Sequence, residues 1–285
     1  MDYAHPESLV STEWLAGHLD DAGVTILDCS FKLPGITPTA AEDYAKAHIP
    51  GAVYFDIDAV SDHANPLPHM LPSAAEFARM AGRLGIGDSQ KVVVYDAAGT
   101  AATRVWWMLR VMGHKNVAVL DGGLRKWRAE GRPVTDEVPA PTERRLTPGF
   151  DPSLVRDKAQ MLANVSSRHE QVVDARAAAR FAGAASEPRP GLRAGHIPGA
   201  LNLPYELLSD PKTGAFLPAD ALAARLTSAG LSPDRAITAS CGSGVSACVI
   251  AFAIHLVGWK DAAIYDGSWS EWGLPGDTPV ATGPA

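Results

Sequence analysis

Short apolar runs alternate along this chain with longer stretches of helical character. Ile26-Leu-Asp28, Val92-Val-Val-Tyr95, Val172-Val-Asp174 and Ile237 to Ser240 are too short for helices and are apolar on successive positions. They read as strands of a parallel sheet covered on both faces. Between them, Ala74 to Leu84 and Ala219 to Ala229 read as polar helices, and Val249-Ile-Ala-Phe-Ala-Ile254 as a buried one. Further strands are expected at Val53-Tyr-Phe55 and Leu201-Asn-Leu203. Strands alternating with helices predict an α/β architecture with right-handed crossovers.

The pattern is written twice. His48-Ile-Pro-Gly-Ala52 recurs as His196-Ile-Pro-Gly-Ala200, an offset of 148 residues. Val119-Leu-Asp-Gly122 recurs as Ile264-Tyr-Asp-Gly267 at 145, and Ile26-Leu-Asp28 as Val172-Val-Asp174 at 146. Three motifs in one order at near-constant offset mark a tandem duplication. The expected division is a first domain over 1–138, a proline-rich surface linker over 139–152 and a second domain over 153–285. His48 and His196 stand alike in both copies, which points to a structural buried hydrogen bond. Trp106, Trp107 and Trp127 read as core or interdomain packing.

Composition narrows the function classes. The chain has 285 residues, 46% hydrophobic and 20% charged, with a net charge of −7. Acids and bases are interspersed, so no basic stripe suggests nucleic acid or an anionic membrane. Ala236 to Trp259 lacks Asp, Glu, Lys and Arg, but Gly242-Ser-Gly244 interrupts it and leaves a helix too short to span a bilayer. No secretory signal is visible at the N-terminus, and a cytoplasmic location is expected. The three cysteines, Cys29, Cys241 and Cys248, fit a reducing compartment. The nine histidines show no metal-ligand spacing, so neither metal nor other cofactor is expected.

The chemistry concentrates at Cys241. A strand ends on this cysteine, and Gly242-Ser-Gly-Val-Ser-Ala247 leads into the apolar helix. Loop N–H groups and a helix N-terminus favour an anion, so Cys241 is expected to be a thiolate nucleophile. At the 145-residue offset the first copy carries Asp96 instead, so the first domain is expected to be catalytically empty. Cys29 and Cys248 read as buried and inert. A phosphatase needs an arginine about six residues after the cysteine to grip phosphate. Position 247 is alanine, which argues against that chemistry.

Together with Asp56-Ile-Asp58, Pro68-His-Met-Leu71, Arg104-Val-Trp-Trp107, Leu120-Asp-Gly-Gly-Leu124, Arg180-Phe181, Glu187-Pro-Arg189 and Tyr265-Asp-Gly-Ser-Trp269, these features resemble the tandem rhodanese-domain sulfurtransferases. The loop Cys241-Gly-Ser-Gly-Val-Ser-Ala247 is similar to that of the 3-mercaptopyruvate sulfurtransferases, with Ser246 where that family often has threonine. The resemblance implies two rhodanese-like domains, each a mainly parallel sheet with helices on both faces. It implies a relay of Ser243, His69 and Asp58 in a cleft between the domains. It also points to Arg180 and Arg189 as the clamp for the carboxylate and ketone of 3-mercaptopyruvate. Gly242, Gly244, Val245, Ser246 and Ala247 would cradle the sulfur through their N–H groups. On the residues alone, His69 reads equally as a loop histidine between prolines and Asp58 as a helix N-cap. Arg176 and Arg193 are read as ordinary surface arginines.

The resulting expectation is a sulfurtransferase. Cys241 takes sulfur from 3-mercaptopyruvate as a persulfide, releases pyruvate, and passes the sulfur to a thiol acceptor such as thioredoxin or glutathione, or to cyanide. The alternatives are a thiosulfate sulfurtransferase, disfavoured by the uncharged Gly242 and Ser243, and a non-catalytic persulfide carrier.

Overall fold

The computed structural model describes residues 2–285. The first half contains β1 (Leu9–Val10), α1 (Thr12–Ala16), β2 (Val24–Asp28), α2 (Ala40–Lys46), β3 (Val53–Tyr54), α3 (Ala74–Arg83), β4 (Lys91–Tyr95), α4 (Ala101–Val111), β5 (Val117–Leu120) and α5 (Gly123–Ala129). The second repeats that order with β6 (Val155–Arg156), α6 (Lys158–Ser167), β7 (Gln171–Asp174), α7 (Ala178–Phe181), β8 (Leu201–Asn202), α8 (Ala219–Ser228), β9 (Ile237–Ser240), α9 (Ala247–Leu256), β10 (Ala263–Tyr265) and α10 (Ser268–Trp272).

Each half builds one five-stranded sheet, ordered β1-β5-β4-β2-β3 and β6-β10-β9-β7-β8, with every pairing parallel. The registers repeat as well: Asp28 lies opposite Tyr95, and Asp174 opposite Ser240. The edge strands β1 and β6 are two residues each and, unlike the equally short β3 and β8, follow no repeated His-Ile-Pro-Gly-Ala turn, so the sequence pattern does not reveal them.

The recurring His-Ile-Pro-Gly-Ala turns have a common physical basis. Gly51 and Gly199 both sit at φ 77°, a left-handed conformation that glycine adopts without steric cost. His48 stacks on Tyr44 and bonds that residue's carbonyl through Nδ1 at 2.7 Å; His196 stacks on Phe181 and does the same at 2.9 Å. Their backbones then form isolated bridges to Thr135 and Ala281, so each turn pins the segment that leaves its domain.

What joins the halves is a pair of helices. Every residue of α9 is buried, as is every residue of α4 except Arg110. Helices apolar on all faces are covered on all faces; here each packs on its own sheet and against the other helix. One hydrophobic core therefore runs through both halves. Trp106 of α4 meets Phe252 of α9 edge to face at 4.8 Å, and Phe216 meets the same ring at 5.0 Å. Residues 131–151 contain no helix or regular strand and run mostly over the surface. Leu146 is buried, and Arg144 N–H and Thr147 N–H bond Gly82 O and Asp88 Oδ1 on the first half. No helix among the described residues is long and apolar enough to cross a membrane.

Phe252→Ala removes a fully buried ring from the seam between the halves and is expected to cost about 3–5 kcal/mol. The exposed Leu274→Ala is expected to stay within about 0.5 kcal/mol. Urea unfolding of the two variants beside the parent checks both.

Candidate active site

Cys241 follows directly on β9, a central strand, at the carboxyl end of its sheet, where open α/β sheets present their sites. It is 1% exposed. Its N–H donates to Ser268 Oγ at 3.2 Å, and its carbonyl accepts from Trp269 N–H at 3.0 Å. The carbonyl of Gly242 accepts from Ser270 N–H and Oγ–H at 2.8 and 2.7 Å. The start of α10 thus fixes the entry to the loop. Gly244 sits at φ 75°, and a side chain there would meet Asp266 O at 2.8 Å. At Gly242 a side chain would meet Arg180 Nη2 at 3.2 Å, so this arginine lies directly over the loop.

The first half shows what the loop geometry does. Asp96 follows β4 as Cys241 follows β9, and its carboxylate accepts from the N–H groups of Ala98 at 2.9 Å, Gly99, and Ala102 at 2.7 Å. The residues 145 further on are Ser243, Gly244 and Ala247. Their N–H groups donate to no protein acceptor among the described residues. In one copy three convergent donors hold a carboxylate; in the other they stand beside a cysteine.

The expected partners come from both halves. His69, from the loop between β3 and α3, is 4% exposed and adopts φ 61°, unusual for a residue with a side chain. Its Nδ1 lies 2.6 Å from Asp58 Oδ1, at ion-pair distance though off the line of an ideal hydrogen bond. Its Nε2 lies 3.2 Å from Arg189 Nη2. Arginine only donates, so Nε2 is assigned as the acceptor and Nδ1 as the protonated nitrogen facing Asp58. The hydrogen bond from His69 lowers the Asp58 pKa, against a smaller opposing effect of burial. Asp58 caps no helix; Asp56 is the residue that accepts the N–H groups of Asp58 and Ala59. Ser243 is 8% exposed, and its hydroxyl makes no hydrogen bond to His69. The structure therefore joins two members of the expected relay and leaves Ser243 two residues beyond the thiol.

Arg180 and Arg189 both reach this region. Burial lowers the Arg189 pKa, opposed by the nearby Cys241 and Asp58. Arg180 donates to Glu187 Oε2 at 2.5 Å, and Glu187 Oε1 accepts from Arg176 at 2.7 Å. Arg176, read from the sequence as a surface residue, is 2% exposed. Two N–H groups of its guanidinium grip Asp174 at the end of β7, and another bonds Gly195 O. Arg193 is likewise no free surface arginine, since it bonds Thr278 and Trp272 O. The irregular loop 182–195 folds inward and bears on both: it brings Glu187 and Gly195 O to Arg176, and its own Arg193 turns in to Thr278 and Trp272 O. In the first half the stacked Tyr44 and His48 are four residues apart, whereas Phe181 and His196 are 15 apart. Between the aspartate that ends the strand and the turn histidine the halves differ by only two residues, so the longer loop arises because α7 ends early; that loop carries Glu187 and Arg189.

Burial pushes the Cys29 and Cys248 thiols up, which keeps both protonated. Val245 and Ser246 complete the turn into α9, whose first residue is Ala247. One group of metal-ligand types exists among the described residues: His5, Glu7 and His255 bring donor atoms within 4.8 Å. The two rings stack at 4.2 Å and 11°, so their lone pairs run side by side instead of converging. Arg110 Nη1 also stands 3.1 Å from His255 Nε2, a cation already beside the site.

The Rhodanese-like domain family matches residues 11–130 and 157–274. The chain belongs to the rhodanese family. The 3-mercaptopyruvate sulfurtransferase of Escherichia coli (strain K12) is 41% identical, over 95% of this chain and 96% of its own. A thiosulfate sulfurtransferase of Cricetulus griseus is 41% identical over 97% and 96%. Among solved structures, SseA from Escherichia coli superposes with a TM-score of 0.84 at 39% identity, covering 93% of this chain and 99% of that one. The five-stranded parallel sheets described above are thus two rhodanese domains in tandem.

Two predictions follow from this rhodanese site. Placing a cysteine at Asp96 in a Cys241→Ser background is expected to leave donor turnover at the background, because the Asp96 side has neither the arginine-bearing loop nor a counterpart of His69. Steady-state assay of the double variant checks this. The second concerns pH. The Asp58 carboxyl is held below its ordinary value of 3.8, so its contact with His69 stabilises the fold fully above that value. The contribution is lost as pH falls through the lower folded value. Asp58→Asn is expected to lower stability at pH 5–7 and to match the parent in strong acid, as read by thermal melting across pH.

Proposed function

We propose that the enzyme transfers sulfur from 3-mercaptopyruvate through a Cys241 persulfide. The anion cradle carries this reading. The N–H groups of Ser243, Gly244 and Ala247 correspond, 145 residues on, to those that hold the Asp96 carboxylate in the first domain, and they donate to no protein acceptor among the described residues. A sulfur anion on Cys241 has the same donors available. Arg180 over Gly242 and Arg189 beside His69 supply two guanidinium groups for a substrate carrying a carboxylate and a ketone. The first domain, with Asp96 in its own cradle, contributes His69 and Asp58 and no nucleophile.

In the forward half-reaction the Cys241 thiolate attacks the sulfur of 3-mercaptopyruvate. An S–S bond forms, the C–S bond breaks, and the electron pair leaves on carbon as the enolate of pyruvate. A proton taken up at that carbon, through Ser243 and His69, gives pyruvate. His69 suits this role because its Nε2, the acceptor nitrogen, takes the proton of the donor's thiol and returns it to that carbon while Asp58 orients the other nitrogen. An acceptor thiolate or cyanide then attacks the outer sulfur and restores the Cys241 thiolate. A covalent intermediate of this kind implies ping-pong kinetics. No cofactor enters, since the cysteine itself carries the sulfur. A small thiol such as glutathione, a protein thiol such as thioredoxin, or cyanide meets the chemical requirement of the acceptor. Three unpaired cysteines support a reducing compartment, which we take to be the cytoplasm.

The thiosulfate sulfurtransferase relative supports a second reading in which thiosulfate is the donor. The uncharged Gly242 and Ser243 favour the first, because they offer no side-chain cation to a dianion. The measurement is pyruvate release from 3-mercaptopyruvate against sulfite release from thiosulfate, with cyanide as acceptor. The expected result is a strong preference for 3-mercaptopyruvate, abolished by Cys241→Ser. A preference for thiosulfate would replace the donor, and no turnover of either would reduce the protein to a persulfide carrier.

A further inference from the structure

We propose that Arg104 is a positioning residue that sets His69 of the first domain against the Cys241 loop of the second. The inference rests on the sulfur-transfer reading above. Arg104 lies on α4 and is fully buried. Its Nη1 is 2.7 Å from Asp266 Oδ1 and donates to Gly244 O at 3.2 Å; its Nη2 donates to His69 O at 2.5 Å. The ring of Trp107, 4.5 Å from the guanidinium carbon, covers its face. One rigid, planar cation thus holds a carbonyl of the cysteine loop and the carbonyl of the relay histidine together. Arginine suits this because its donors are fixed in a fork, where lysine offers a single point. Burial opposes the charge, but Asp266 offsets it and the guanidinium pKa is raised.

The duplication separates this role from plain domain gluing. Asp266 also accepts Leu71 N–H at 2.9 Å, and in the mirror arrangement Asp121 accepts Phe216 N–H at 2.8 Å. Each pair is related to the other by the same 145-residue offset. The aspartate-to-backbone tie between domains is therefore made twice. The residue 145 after Arg104 is Val249, so a guanidinium reaches across the seam only toward the Cys241 loop. The seam closes without an arginine on the Asp96 side. On the Cys241 side the arginine fixes two groups that belong to different domains. One of them, His69, is in a left-handed conformation that its own side chain disfavours.

The test compares full-length parent, Arg104→Lys, His69→Ala and the double variant, with 3-mercaptopyruvate as donor and cyanide as acceptor, alongside thermal melting. Arg104→Lys is expected to lower kcat on the order of 10–100-fold, the usual consequence of misplacing a reacting group by about 1 Å. KM is expected to stay within about 3-fold, because the donor's carboxylate is gripped elsewhere. The double variant is expected to be no slower than His69→Ala beyond about 2-fold, since groups acting as a unit are not additive. An unchanged kcat in folded Arg104→Lys, a loss confined to KM, or fully additive losses would each overturn the role. If Arg104→Lys melts below the assay temperature, Asp266→Asn, which removes the countercharge and keeps an acceptor oxygen, is read by the same criteria. Parent enzyme that turns over no 3-mercaptopyruvate would overturn the donor reading and this role with it.

Discussion

The ion pair between Arg104 and Asp266 is buried at both ends, and the site is organised around it. Desolvating two charges costs about as much as their attraction returns, so such a pair is a weak source of stability and a strong source of register. Hydrophobic burial along α4 and α9 holds the domains together, but an apolar seam tolerates sliding and repacking. The directional contacts select one arrangement. Asp266 takes both Arg104 and the N–H of Leu71, two residues past His69. The loop bearing His69 is therefore tied at two points to a single carboxylate of the opposite domain.

Duplication explains why so much of this was available to build with. Two copies of one sheet, facing each other through equivalent helices, place the loop after β3 of one domain over the cradle of the other, and the converse. Every tie is offered twice. Divergence then made the two cradles opposite in character. Asp96 fills its own donors with an internal carboxylate, so that loop is electrostatically complete and needs no ligand. The second copy has a cysteine in that place, a longer loop after a shortened helix that carries Glu187 and Arg189, and an arginine delivered from the first domain. The sequence marks Glu187 only as part of a motif and assigns it no role, yet it holds both Arg176 and Arg180. A clamp of two arginines needs such an anion beside it, or their mutual repulsion would splay them.

Legibility in the sequence followed periodicity and repetition. The strands that end at Asp28 and Asp174 and those before Asp96 and Cys241 are plain because short runs recur at a fixed offset; the two-residue β3 and β8 are marked by the repeated turn before them, and the equally short β1 and β6 have no such flank. The repeated His-Ile-Pro-Gly-Ala motif marks the two turns, which the structure builds with Gly51 and Gly199 in a left-handed conformation. Side-chain partnerships across long loops were opaque. Arg176 was misread because its partner Asp174 lies two residues away, where the chain leaves β7 and both side chains turn inward. Ser243 was expected in contact with His69, and the structure instead sets Arg189 against the histidine's second nitrogen. Arg104 did carry a signal. An arginine inside an otherwise apolar helix must find a buried anion, but nothing in its neighbourhood says that the anion is in the other domain.

That last point bears on what a two-domain rhodanese gains from an empty copy. A single cradle at the end of a sheet binds an anion with its backbone alone, and Asp96 demonstrates this without any help from the second domain. Turning such a cradle into a site that also moves a proton requires a base held at a fixed distance from it. A base on the same loop would compete for the very N–H groups that make the cradle. Supplying His69 from another domain avoids the competition, and it converts a problem of loop conformation into one of domain register. Register is what a fork-shaped buried cation secures. Under the proposed mechanism, the first domain's lack of a nucleophile and its Arg104, His69 and Asp58 are two sides of one division of labour, in which one copy holds the sulfur and the other holds the groups that act on it.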